Sequence, residues 1–183
     1  MNKILKLTIV LFLVCAIAAG VLGGVNELTY ERIAEQAAAK TREAFAAVMI
    51  ADDFPEVSFD RDAFPTVDRI NQAVKDGSVA GYVVTSTFSG AQGNIKLAVG
   101  VNSDYTCNGI SVIEHSETSG LGANAASTGE VGVKFRAQFV GQDESIALAN
   151  AGGSIDALTG ATITSRAITG AVAESIRVVK SLG

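Results

Sequence analysis

Four hydroxyl side chains lie close together near the end of the chain, where a glycine-containing turn gives way to a predicted helix. They are Thr159, Thr162, Thr164 and Ser165. One hydroxyl is enough to cap a helix, so four raise the question of a further role. A helix N-terminus presents unpaired N–H groups and a partial positive charge, which together favour a bound phosphate. The segment therefore allows two interpretations, an ordinary capped helix start or a phosphate site.

Thr162 is the best placed of the four to carry a phosphate, because it stands at the predicted start of the helix. Gly160 has no Cβ and lets the backbone approach a bound group closely. A phosphate esterified to Thr162 would be held by the covalent bond and by the helix dipole. On these residues alone, a hydroxyl cap after a glycine turn is the simpler interpretation.

A second segment suited to ligand binding is "HSETSGLG", residues 115–122. Its small residues surround Leu121, so its backbone could lie flat against a planar ligand with Leu121 as an apolar contact. The alternative interpretation is a flexible turn between strands. Nothing around His115 suggests a Ser-His-Asp or Cys-His catalytic arrangement.

Composition excludes several other kinds of site. Cys15 lies in an apolar segment and Cys107 in the remainder, so no disulfide within one domain is expected. With two cysteines and one histidine, neither a structural zinc site nor a cysteine-held iron–sulfur cluster is expected, and redox chemistry would need an organic cofactor. Residues 26–183 hold 12 basic and 19 acidic residues, a net charge of −7, so nucleic acid is not an expected partner.

Leu7–Val25 is a run of 19 residues without a charge. As a helix it spans about 28 Å, close to the hydrocarbon thickness of a bilayer. We expect a retained transmembrane anchor. A cleaved signal peptide, with Lys3 and Lys6 as its basic region, is the alternative. The run is longer than the usual apolar region of about 7–15 residues, and no clear cleavage site follows it.

The charges that flank this segment predict its orientation. Lys3 and Lys6 precede it and acidic residues follow it, which places the N-terminus in the cytoplasm and residues 26–183 outside. It contains no Asp, Glu, Lys, Arg or His, so an ion path through this helix alone is not expected. Its small residues either pack against partner helices or are merely tolerated. They are Ala18, Ala19, Gly20, Gly23 and Gly24.

The pattern along the chain predicts three regions. Residues 1–25 form a cytoplasmic stub and transmembrane helix, residues 26–65 a helical connector broken after residue 50 by two prolines, and residues 66–183 a domain outside the membrane. Residues 66–115 have the β-branched segments and turns of an antiparallel meander, with a hairpin at "GAQG".

The second half of that domain is predicted to be mainly loop and helix. Residues 129–142 fit a short helix or a strand, residues 144–150 a strand or an extended segment, and residues 151–161 a loop. From Thr162 onward, apolar residues at helical spacing predict one buried stripe. They are Ile168, Val172, Ile176 and Val179. The expected fold class is α+β, an antiparallel sheet with flanking helices, preceded by one N-terminal transmembrane helix.

Two motifs together resemble the FMN-binding domain family. Asp156-x-x-Thr159-Gly160-Ala161-Thr162 is similar to its flavinylation motif, D-x-x-[S/T]-G-A-T, and "ETSGLG" is similar to its upstream E-T-P-G-L-G loop. The motifs occur in the family's order, and the resemblance covers most of residues 66–183. Ser119 departs from the pattern, because the family has proline there, and this bears on the rigidity of the loop.

The resemblance implies that Thr162 carries FMN as a phosphoester, installed from FAD by a Mg²⁺-dependent flavin transferase. It implies that Asp156 is read by the transferase or organises the turn. It further implies a phosphate cradle and a set of residues along the isoalloxazine ring. The cradle residues are Thr159, Gly160 and Ala161, and the ring-lining residues are Glu117, Thr118, Leu121 and Gly122.

In size and layout the chain is similar to the Rnf branch of this family, whereas the related subunits of Na⁺-pumping NADH:quinone reductases usually have a longer exported part. The resemblance implies an electron carrier that works with the other membrane subunits of an Rnf-type complex, which joins ferredoxin and NAD⁺ to Na⁺ or H⁺ movement. No motif for ferredoxin or for a nucleotide is present. Two alternatives stay open, a non-redox membrane-anchored module and the flavin subunit of another extracytoplasmic electron-transfer system.

Overall fold

The computed structural model describes residues 2–183, which divide into one unit up to Lys40 and another from Thr41 to Gly183. The first helix, α1, runs over Lys3–Val48, through the expected anchor and into the first part of the expected connector. Among the described helices it alone is long and apolar enough to cross a membrane, and its most apolar stretch is not buried. Its last residues, from Thr41 onward, belong to the second unit.

The second unit is built on a five-stranded antiparallel sheet in which each strand pairs with its neighbour in sequence. This confirms the predicted meander and the α+β fold class. The sequence analysis did not predict the first strand, because two residues are too few to show a period. The strands are β1 Glu56–Val57, β2 Val67–Lys75, β3 Ser78–Ser89, β4 Asn94–Asn102 and β5 Cys107–His115.

Two helices complete the domain, α2 at Glu130–Ala137 and α3 at Thr162–Lys180. The undecided segment is thus a helix, followed closely by the buried Phe139. The strand alternative for residues 144–150 is wrong, because this segment makes only an isolated bridge from Leu148 to Ile155 before a 3₁₀ turn. With no neighbouring strand to pair with, its apolar residues pack without forming a ladder.

The main core lies between α3 and one face of the sheet. The predicted stripe of α3 is confirmed, since its four residues are at most 1% exposed. A smaller core covers the opposite face, where Phe45, Val48 and Met49 at the end of α1 pack against Val83 and other small strand residues. The sheet thereby holds α3 in place, and the start of α3 meets the loops that leave the strands.

Candidate functional site

The segment "ETSGLG" contains a defined type II turn. The Leu121 N–H donates to the Thr118 carbonyl at 3.2 Å, and Gly120 has φ +79°. A type II turn requires a positive φ at its third residue, which glycine adopts without strain. The Asn124 side chain donates to the Gly120 carbonyl at 2.9 Å and ties the turn to the 3₁₀ turn Gly122–Ala125. These bonds define the turn, which leads from β5 into a 3₁₀ turn and not into another strand.

The segment before α3 contains a second type II turn. The Ala161 N–H donates to the Leu158 carbonyl at 3.0 Å, and Gly160 has φ +71°. The two turns meet, because a Cβ placed on Gly160 would lie 3.0 Å from Leu121 Cδ2. The fold therefore brings together two motifs that the sequence analysis could only treat separately.

The first turn also accounts for the departure at Ser119, which occupies its second position. Proline is favoured there because its ring fixes φ near the required value. The Ser119 N–H donates to no other described residue. We expect Ser119→Pro to raise the free energy of unfolding by about 0.4–1 kcal/mol through the unfolded state. Thermal unfolding beside Ser119→Ala checks this, and a proline variant no more stable than the alanine variant would contradict it.

The four hydroxyls separate into two buried and two exposed groups. Ser165 Oγ accepts the Leu158 N–H at 3.0 Å and donates to the Ala161 carbonyl at 2.9 Å. Thr164 is buried and also hydrogen-bonded. Thr159 and Thr162 are exposed, and within residues 2–183 neither hydroxyl has a hydrogen-bond partner. Two hydroxyls thus hold the turn, and two are free for chemistry.

Thr162 is the first residue of α3, and Ala161 is its N-cap. Alanine has no capping group, so the interpretation of Thr162 as a hydroxyl cap is wrong. The first hydrogen bond of the helix runs from the Ser165 N–H to the Ala161 carbonyl. The N–H groups of Thr162, Ile163 and Thr164 precede it and therefore have no partner within the helix. An exposed hydroxyl beside three such donors, at the positive end of a 19-residue helix, suits a phosphate ester.

Glu117 joins three elements from a buried position, where the residue is 8% exposed. Its carboxylate accepts the Thr164 hydroxyl at 2.5 Å, the Ala91 N–H at 2.8 Å and the Gln92 N–H at 3.1 Å. It thus links the β3–β4 turn, the loop after β5 and the first turn of α3. Because Thr164 lies two residues beyond Thr162, this link fixes the second predicted motif against the first.

The hydrogen bonds also set the ionisation of Glu117. Burial acts to raise its pKa, but the bonds from the Thr164 hydroxyl and from the backbone of Gln92, Ala91 and Gly93 outweigh burial and lower it. The carboxylate is therefore charged at neutral pH. Its partners are protein groups, so its expected contact with a flavin ring stays a prediction.

Gly122 packs against this carboxylate. A Cβ there would lie 2.3 Å from Glu117 Oε2 and 2.7 Å from Thr164 Oγ1, between the two bonded atoms. We expect Gly122→Ala to lower the free energy of unfolding by about 1–3 kcal/mol through overpacking. The matched control is Gly170→Ala in the exposed middle of α3, where a Cβ meets nothing within 4 Å and should stabilise the helix. Equal effects of the two substitutions on thermal unfolding would contradict the packing argument.

The remaining predicted site residues include both exposed and buried side chains. Asp156, Thr118 and Leu121 are exposed, whereas Ala161 is buried. The Asp156 backbone is held by Gln138, a residue that the sequence analysis missed. No local pattern singles out Gln138, because the contact joins segments 18 residues apart.

Comparison with known proteins agrees with this geometry. Residues 90–177, which span both turns and most of α3, match the FMN-binding domain family, and residues 1–48 match the RnfG N-terminal region. The fold and site thus define a protein class with an FMN-binding domain behind an N-terminal apolar helix.

Full-length relatives identify the family more closely. The G subunit of the ion-translocating oxidoreductase complex of Methanosarcina acetivorans is 34% identical, over 98% of this chain and 96% of that protein. The G subunit of the Na(+)-translocating ferredoxin:NAD(+) oxidoreductase complex of Acetobacterium woodii is 31% identical, over 98% and 93%. This chain belongs to the family of G subunits of ion-translocating oxidoreductase complexes.

One further relative is named for a different ion, and one solved structure is more distant. The G subunit of the proton-translocating ferredoxin:NAD(+) oxidoreductase complex of Clostridium ljungdahlii is 31% identical, over 97% of this chain and 92% of that protein. A crystal structure of the C subunit of the Na(+)-translocating NADH-quinone reductase from Parabacteroides distasonis gives a TM-score of 0.49 and 24% identity, over 66% of this chain and 64% of that one. Because sodium and proton relatives are equally similar, identity does not select the ion.

Proposed function

We propose that this chain is a membrane-anchored electron carrier that holds FMN as a phosphoester of Thr162. It acts as a subunit of an Rnf-type ferredoxin:NAD⁺ oxidoreductase complex coupled to Na⁺ or H⁺ translocation. The observation that carries the proposal is the exposed, unpartnered Thr162 hydroxyl at an uncapped helix start, inside a D-x-x-T-G-A-T motif. Family membership supports it, because the FMN-binding domain match covers this motif.

The phosphate would lie at the start of α3. The N–H groups of Thr162, Ile163 and Thr164 would be available to donate to it, and the helix dipole would favour its charge. Gly160 lets the backbone of the second turn approach closely, and the exposed Thr159 hydroxyl is free to donate. Thr159 and Gly160 are thereby free for the cradle that the family resemblance implies, and Ala161 supports it by closing the turn, because its N–H donates to the Leu158 carbonyl.

Attachment requires a group transfer in which Thr162 Oγ attacks the FMN phosphorus of FAD. The new bond is Oγ–P, the bond that breaks is the P–O bond of the pyrophosphate, and AMP leaves. The Thr162 hydroxyl proton passes to a base of the Mg²⁺-dependent flavin transferase. Asp156, whose carboxylate is exposed and without a described partner, is a residue for that enzyme to recognise.

Bound FMN supplies the redox chemistry, since it exchanges one or two electrons, and the protein positions it. The turn with Thr118 and the half-exposed Leu121 offers an apolar contact for the ring beside Gly160. Gly122 lets the backbone of this turn pack closely against the Glu117 carboxylate. Glu117 does not need to touch the ring to contribute, because its hydrogen bond to Thr164 holds the turn to α3. The covalent bond prevents loss of the cofactor by dilution outside the membrane.

The sequence and α1 support one membrane arrangement. We place the N-terminus in the cytoplasm and residues 26–183 outside, as the basic residues before the apolar run favour. The helix holds no Asp, Glu, Lys, Arg or His between Leu7 and Val25, so the coupling ion crosses through partner subunits. The small residues around Gly20 and Gly24 permit close packing against them.

Purification of the tagged chain from its native membranes in mild detergent tests the assignment to a complex. We expect several polytopic membrane subunits to co-purify together with flavin absorbance. Co-purification of a soluble or haem protein instead would place the flavin domain in another electron-transfer system. A colourless chain without partners would favour the non-redox module.

A further inference from the structure

Gln138 holds the first residue of the attachment motif with both ends of its side-chain amide. Its Oε1 accepts the Asp156 N–H at 2.7 Å, and its Nε2 donates to the Asp156 carbonyl at 3.3 Å. A residue of a neighbouring antiparallel strand makes the same pair of bonds. Both backbone groups of Asp156 are thereby occupied, while its carboxylate stays exposed and without a partner in the described chain.

Buried phenylalanine side chains precede and follow Gln138 in the chain. It follows the last residue of α2, between Phe135 and Phe139, which are 2% and 0% exposed and contact each other edge to face at 5.2 Å. These buried rings anchor the stretch of backbone from which the Gln138 side chain extends to Asp156.

The other side of α2 is tied to the first turn. Arg136 Nη1 donates to the carbonyls of Ala125 at 2.6 Å and Ser127 at 2.9 Å. Asn124, in the adjoining 3₁₀ turn, holds the Gly120 carbonyl. Residues 122–139 thus connect the two motifs, because they are hydrogen-bonded to the "ETSGLG" turn at one end and to the attachment motif at the other.

We propose that Gln138 is a positioning residue for flavin transfer, which presents Asp156 and the following turn to the transferase in one conformation. The inference rests on the proposed function. A segment that is already ordered loses less conformational entropy on binding to an enzyme, so Gln138 acts on recognition of the chain. It has no part in the stability of the finished ester, because it contacts Asp156 and not Thr162.

The test uses the full chain in detergent, prepared without flavin, together with purified transferase, FAD and Mg²⁺. Initial rates of covalent labelling at several chain concentrations give kcat and KM for the chain as substrate. We expect Gln138→Ala to lower kcat/KM about tenfold, mainly through KM, as the loss of two hydrogen bonds would. Gln138→Glu should be intermediate, since its carboxylate still accepts the Asp156 N–H but cannot donate.

Gln142→Ala is the matched control, because Gln142 accepts a hydrogen bond from the Ser154 hydroxyl, just ahead of the motif. We expect its kcat/KM to stay within about twofold of the wild type. A Gln138→Ala chain labelled as fast as the wild type would overturn the inference, and so would an equal slowing by Gln142→Ala. A wild-type chain that is never labelled at Thr162 would instead remove the proposed function.

Discussion

Thr162→Val is expected to abolish covalent flavin while leaving the fold intact. Valine keeps the branched shape of threonine but lacks the oxygen that forms the ester. The Thr162 side chain is exposed and its hydroxyl has no described partner, so the free energy of unfolding should change by no more than about 0.5 kcal/mol. In-gel fluorescence and the intact mass of the variant from its native host measure the loss.

Two matched variants make this result specific. Thr162→Ser keeps a hydroxyl at the start of α3 and should keep the flavin. Thr159→Val removes the other exposed, unpartnered hydroxyl of the cluster, a donor of the proposed cradle, so it should lower the yield of flavin while any covalent flavin stays on Thr162. Covalent flavin on Thr162→Val at another residue would show that the ester has been placed wrongly.

The second large effect concerns Glu117. Glu117→Ala leaves the Thr164 hydroxyl and the Ala91 and Gln92 N–H groups without their acceptor. A hydrogen bond to a charged group contributes about 1.5–3 kcal/mol and a buried hydroxyl left without a partner costs about 1–3 kcal/mol, so the loss should be about 3–5 kcal/mol in total. We expect the melting temperature of the Thr41–Gly183 unit, followed in the full chain, to fall on the order of 10 °C. Glu117→Gln should cost less, about 1.5–3 kcal/mol, because its amide oxygen still accepts hydrogen bonds.

Glu114→Ala is the control for these variants, since Glu114 is an exposed carboxylate on β5. It should change the free energy of unfolding by no more than about 0.5 kcal/mol. A Glu117→Ala chain as stable as the control would mean that the junction of the two motifs does not depend on this carboxylate.

The lowered pKa of Glu117 predicts a pH dependence. A carboxyl group with a lower pKa in the folded state contributes stability above its unfolded pKa of about 4.3 and loses it as the pH falls through the folded pKa. The difference in free energy of unfolding between wild type and Glu117→Gln should therefore be largest at about pH 7 and shrink below about pH 4. A difference that stays constant or grows toward acid pH would contradict the assignment.

Residue spacing was sufficient to predict the elements that hold the site. The buried stripe from Ile168 to Val179 fixes which face of α3 meets the sheet, and the helix begins at Thr162 as predicted. The strand segments alternate clearly enough to give the meander. The short β1 and the glycine-containing α2 were unpredicted or undecided, because neither shows a period over enough residues.

The junction of the two motifs could not be predicted from the sequence. The sequence indicated Thr164 as one of several hydroxyls at a helix start and Glu117 as a ring contact. Neither pattern predicts the hydrogen bond between them, which joins residues 47 apart in the chain. The contact of Leu121 with Gly160 depends likewise on how α3 lies on the sheet. The family resemblance identified the motifs, and the tertiary structure gave their buried members a physical role.

The ester on Thr162 is tested most directly by the intact mass of the chain purified from its native host, beside an SDS gel viewed under ultraviolet light. We predict a mass gain of FMN less one water, a fluorescent band, and the added mass on a peptide that contains residues 157–166. An unmodified mass without fluorescence, from native membranes, would contradict covalent attachment and leave Thr162 as an ordinary residue at the start of α3.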